Sequence, residues 1–170
     1  EIGRLVCSSY QFLAQNYIEI ASNEERKFGW LESEAWGKAY DCYAQALDII
    51  QNDVGVKLGW SIALDRHAQM IAGYGNWNEA REKWGEAHSR LLDIDGTERH
   101  QLRAIFYGHE AASIFKFESD AADKCWRAAA VEIKLLNTRF GLDVWASHLR
   151  EELQCGLKYA SKLGDEFHSE

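Results

Sequence analysis

A motif of alanine, three residues, a large aromatic ring, two residues and alanine occurs three times, and no other feature restricts the fold as strongly. It reads Ala39, Tyr43 and Ala46 in KAYDCYAQALDII, Ala80, Trp84 and Ala87 in EAREKWGEAHSRLL, and Ala122, Trp126 and Ala129 in AADKCWRAAAVEIKLL. The copies start at 39, 80 and 122, so they lie 41 and then 42 residues apart. On an α-helix this spacing puts the three side chains on one face. The alanines let a neighbouring helix come close, and the ring fills the space between them. A complementary pattern of large residue, alanine, large residue precedes each copy: Tyr10, Ala14 and Tyr17; Leu64, Ala68 and Ile71; Tyr107, Ala111 and Ile114. Two alternating helix types, each used three times, describe a repeated helical hairpin.

The rest of the chain agrees. Its 170 residues suit one domain with a sizeable core, and it contains no proline, the strongest helix breaker. Apolar spacing near 3.6 predicts an all-α protein with helices near 2–22, 33–51, 56–74, 77–94, 97–116, 119–136 and 140–163. Asn76 with Glu79 has capping-box spacing, and Thr97 and Ser119 are further polar openings. Gly75 and Gly96 supply the permissive backbone that ends a helix. The joints between 70 and 120 are very short, so neighbouring helices must pack antiparallel.

With these residues in view, the chain resembles the tetratricopeptide-repeat family. The middle unit, LDRHAQMIAGYGNWNEAREKWGEA from Leu64 to Ala87, carries the resemblance best. Ala68 takes the small position, Gly75 the turn glycine, and Ala80, Trp84 and Ala87 the second-helix signature. The likeness covers about residues 10–136. It implies a single domain, 1–170, built as a right-handed α-solenoid of about three hairpins, with units near 2–51, 56–94 and 97–136. The amphipathic stretch LDVWASHLREELQCGLKYASKL supplies an expected capping helix at 140–163. Three departures stand out. The units run near 42 residues where the family's usual repeat is about 34. The proline that ends a family repeat is missing, and the first unit carries an extra stretch near 22–34.

The resemblance also implies a role, that of a non-catalytic scaffold, an adaptor or regulatory module binding a protein or peptide in a concave groove lined by the first helices. Matched positions give Gln11, Phe12 and Gln15 from the first unit, Asp65, Arg66 and Gln69 from the second, and His109 and Lys116 from the third. Asp65, Arg66 and Gln69 are expected to face outward, opposite Leu64, Ala68 and Ile71. The positions that clamp a carboxylate terminus in some family members read Gln11, Gln15, Arg66, Ile105 and His109 here. Only Arg66 suits a carboxylate, which argues against such a clamp. Trp30, beside Phe28 and Gly29 in the extra stretch, is expected to be exposed and to anchor a partner.

Other chemistry finds little support in the residues. A formal charge of −8, from 19 basic and 27 acidic residues, disfavours nucleic acid and favours a basic or neutral partner. No HExxH or other ligand spacing links the six histidines, so no metal or cofactor is expected. Gly73-Tyr74-Gly75 lacks the strand that a dinucleotide site requires. Cys7, Cys42, Cys125 and Cys155 stand far apart in apolar stretches and are expected to be buried thiols. With no membrane-length apolar run, a cytoplasmic protein is expected. A start at Glu1 is compatible with a segment of something larger. The alternative of a different class is a helical enzyme or ligand-binding domain with a polar cavity around His67 or His109. An acidic mimic of nucleic acid is a third, but its charges should form a stripe, and here they are interspersed.

Overall fold

The computed structural model describes residues 1–29, 33–115 and 117–141. Among them the chain forms six helices and no strands: α1 (Ile2–Phe28), α2 (Glu34–Ile49), α3 (Val54–Gly73), α4 (Trp77–Arg90), α5 (Thr97–Ile114) and α6 (Ser119–Phe140). Trp30, Lys116, Cys155 and the 140–163 segment past Gly141 lie outside the described residues.

Three expected boundaries move, among them the end of α4, which stops at Arg90 rather than 94. The first helix does not stop at 22; it runs to Phe28, where Gly29 at φ 64° returns its amide to the Glu25 carbonyl. Arg26 and Lys27 in the last turn suit the negative end of the helix dipole. Half of the extra stretch is thus additional helix rather than loop. The last described helix continues past 136 to Phe140, ended by Gly141 at φ 64°. Gly75 and Gly96 take positive φ, as their place at helix ends requires. The caps fall elsewhere than expected. Ser33 accepts from the Ala35 amide and Asp53 from the Val56 amide. Asn76 spends its side chain on the Glu79 carboxylate, and the Thr97 and Ser119 hydroxyls cap nothing.

The alanine-flanked rings are core. Tyr43, Trp84 and Trp126 are 3, 0 and 5% exposed, and Ala39, Ala46, Ala80, Ala87 and Ala122 are fully buried. So are Ala14, Ala68 and Ala111, the small residues of the complementary pattern. Each ring removes roughly 150–250 Å² from water, about 4–6 kcal/mol of gross burial at 25 cal/mol per Å². Removing the alanines' neighbours one at a time would therefore weaken the pairing more than any surface charge.

The helices pack most extensively as α1 with α2, α3 with α4, and α5 with α6. Between pairs, α3 touches both α1 and α2, and α5 touches both α3 and α4. Neither α1 nor α2 touches α5 or α6. Rings bridge successive clusters: Tyr40 and Trp60 pack on both the first and the second, and Trp77 on both the second and the third. The third pair adds a buried polar tie. Glu132 on α6, 6% exposed, meets His100 Nδ1 at 2.6 Å and Arg103 Nε at 2.7 Å on α5.

Candidate functional site

Because α3 lies against both α1 and α5, the three first helices form a row, and the matched groove positions can be followed along it. On α1, Gln11 is half-buried while Phe12 and Gln15 are exposed, Phe12 at 69%. Gln11 leans toward the start of α3, its Nε2 close beside Gly55.

Asp65 departs from expectation. It does not face outward but is 5% exposed, with its carboxylate accepting from three side chains. Trp84 Nε1 donates at 2.8 Å, Gln69 Nε2 at 2.9 Å and His109 Nδ1 at 2.8 Å. A buried carboxylate with this many donors is a structural acceptor joining α3, α4 and α5, since an unpaired charge there would cost several kcal/mol. A helical wheel alone could not find it, because two of the three donors, Trp84 and His109, come from α4 and α5.

Around this anchor stand the side chains that remain available. Gln69 is exposed. His109, with a side chain 26% exposed, has its Nδ1 committed to Asp65, which orients the ring and leaves Nε2 as its other polar atom. Arg66 is 43% exposed and pairs with Glu19 of α1 at 3.2 Å. An exposed pair of this kind contributes roughly 0–1 kcal/mol, so a competing carboxylate can exchange with Glu19 at little cost.

At the junction of α1, α2 and α3 lies a pocket of about 260 Å³, lined by Ser22, Glu25, Arg26, Trp36, Arg66 and Met70. Tyr74 closes one side by donating to Glu25 Oε1 at 2.9 Å. Arg26 is held by its own helix, bonding the Ser22 carbonyl at 3.2 Å and Asn23 Oδ1 at 2.9 Å. The result is a mixed-charge wall with an apolar floor from Trp36 and Met70. Of these residues sequence reasoning named only Arg66. Ser22, Glu25 and Arg26 became accessible to reasoning only once α1 was known to extend through the stretch read as an insertion. The acidic and basic residues of NEERKF, spaced without a breaker until Gly29, were the available signal.

The two histidines of the alternative reading are both bonded to neighbouring side chains. His67 is 7% exposed, its ring stacked on Trp36 at 4.3 Å and its Nδ1 2.7 Å from the Tyr40 hydroxyl. His109 serves Asp65. Burial, with help from Glu110, pushes the Cys125 thiol up to about 12, so it stays protonated and weakly nucleophilic at neutral pH. Cys7 and Cys42 are free and buried, their thiols also raised by burial first and a neighbouring carboxylate second. Among the described residues no group of three His, Cys, Asp or Glu side chains could hold a metal ion, and no helix is long and apolar enough to cross a membrane. No family model matches the chain, and no curated protein or solved structure matches it either.

Proposed function

We propose that the chain is a tetratricopeptide-like α-solenoid acting as a non-catalytic scaffold, which holds a protein or peptide partner along the row formed by α1, α3 and α5. The observation that supports this most is the succession of first helices itself, with Gln69 and His109 accessible and Arg66 lining a side-chain-sized pocket. Sites for small molecules usually enclose about 300–1,000 Å³, and a 260 Å³ recess lined by three helices suits one anchoring side chain of a longer ligand. Trp36 and Met70 at its floor favour an apolar anchor, while Glu19 and Glu25 at its rim favour a basic flank on the partner. The net charge of −8 acts in the same direction by steering cationic partners and repelling phosphate backbones. Free thiols at Cys7, Cys42 and Cys125 suit a reducing compartment, and we place the protein's work in the cytoplasm.

Affinity capture followed by mass spectrometry, run in parallel with wild type and a Gln15→Ala/Arg66→Ala double variant at two exposed groove positions, tests the proposal. The variant should retain its helicity and melting temperature and lose at least about tenfold in partner recovery, the scale of a lost anchor. A partner captured equally by both proteins would remove the groove assignment.

A further inference from the structure

Seven large apolar side chains of α1 stand in solvent, Ile2, Leu5, Val6, Phe12, Leu13, Ile20 and Phe28, each at least 40% exposed. Repeat-equivalent positions, aligned on Ala14, Ala68 and Ala111, say what such a face receives. Val6 and Leu13 correspond to Trp60 and His67 of α3, and those two pack on the preceding second helix, α2. Trp60 stacks with Tyr40 and Tyr43 at ring distances of 6.3 and 6.0 Å, and His67 with Trp36 at 4.3 Å. The equivalents of Leu13 and Ile20 in the third pair are Glu110 on α5 and Phe117 just past its end, and these meet α4 through Arg81 at 3.7 Å and Trp77 at 4.8 Å. Twice in this molecule, then, the face in question is covered by the second helix of a neighbouring pair.

The chemistry of that helix follows from the two covered examples. The α5 face is charged, with Arg99, Arg103 and Glu110, and α4 answers with Arg81 and His88. The α3 face is apolar and aromatic, and α2 answers with Trp36, Tyr40 and Leu47. The α1 face carries no charge at Ile2, Val6, Ser9 or Leu13, so it matches the α2 kind of helix. A second copy is a poor donor. The onward positions of α6, equivalent to Trp36, Tyr40 and Leu47, are Ser119, Asp123 and Ala130, which offer a polar rather than an apolar ridge.

We propose that the outer face of α1 is a docking surface for a helical-hairpin protein partner, which lays a second helix across Val6 and Leu13 with uncharged aromatic or leucine residues facing it at the spacing of Trp36, Tyr40 and Leu47. The inference stands on the pairwise packing and is independent of the groove.

The test uses the full chain and two labelled peptides followed by fluorescence anisotropy: residues 33–50 with Cys42→Ser as the α2-type helix, and residues 76–92 as the charged α4-type helix. The α2-type peptide should bind saturably, and at least about tenfold more tightly than the α4-type peptide. A Val6→Glu/Leu13→Glu chain, changed only at exposed positions, should keep its helicity and melting temperature and lose about tenfold or more in affinity for the α2-type peptide. No saturable binding, equal affinity for the two peptides, or full affinity in the double variant would each overturn the proposal. So would a wild-type dimer by sedimentation that the variant dissolves, which would make a second copy the occupant. Co-sedimentation with phosphatidylcholine vesicles that the variant abolishes would make it a lipid surface, with the same consequence.

Discussion

His88 sits at the α4–α5 contact with its ring stacked on Tyr107 at 4.1 Å, and neither of its buried ring nitrogens has a hydrogen-bond partner. Burial first, and the Arg103 charge second, lower its pKa from the ordinary 6.5 to about 4. The unfolded chain takes up this proton below about 6.5, whereas the folded chain resists until about 4, so acid favours unfolding through this residue. Between those limits His88 should remove up to about 3 kcal/mol of stability, with no effect above pH 7. Glu110 nearby has a carboxyl raised by desolvation, against the opposing pull of Arg81, and contributes the opposite slope. A comparison of wild type with His88→Phe therefore isolates the histidine. Denaturant melts at pH 8 should nearly coincide, and at pH 4.5 the variant should be the more stable by a few kcal/mol. Parallel losses in both proteins on acidification would show that His88 is not the cause. The same scale explains what the sequence left unread. Asp65 is identified as a groove residue by position, but its burial depends on Trp84 and His109, which lie 19 and 44 residues away. Intrahelical periodicity carries no information about such partners.

At the scale of elements, the six described helices were legible and their ends were not. The three alanine-aromatic motifs determine which face of α2, α4 and α6 is inward, because small–large–small geometry has few other packing solutions. Ends depend on short-range competitions that residue type settles only loosely. Ser33 and Asp53 cap α2 and α3, yet Asn76, with a stronger sequence signature, turns its amide to Glu79 instead. The glycines provide a test within one element. Gly75 ends α3 at φ 86° with nothing within 4 Å of an added Cβ, so the cost of Gly75→Ala is purely that of a left-handed backbone, about 1–2 kcal/mol. Gly85, inside α4, also has open space around an added Cβ but no positive φ. Gly85→Ala should raise stability by about 0.5–1 kcal/mol through helix propensity alone. Opposite signs in thermal melts are expected, and equal signs would mean the turn at Gly75 is not as described.

For the whole molecule, the decisive relation is which pairs touch. A closed bundle gathers all helices about one axis, whereas here the backbones of successive pairs meet only through α3 or α5 and, among the described residues, the outer pairs stay apart. Repeat spacing made three hairpins legible, but not their connection. That runs through Tyr40, Trp60 and Trp77, aromatic residues outside the repeated motif whose bridging role has no sequence signature. Among the described residues this pairwise succession leaves an apolar face of α1 exposed. Nuclear Overhauser spectroscopy on the selectively aromatic-labelled protein tests it most directly. The account predicts cross-peaks between Trp36 and His67 and between His88 and Tyr107, whose rings lie 4.3 and 4.1 Å apart, and none between α1–α2 and α5–α6. Cross-peaks joining the first and third pairs would contradict it.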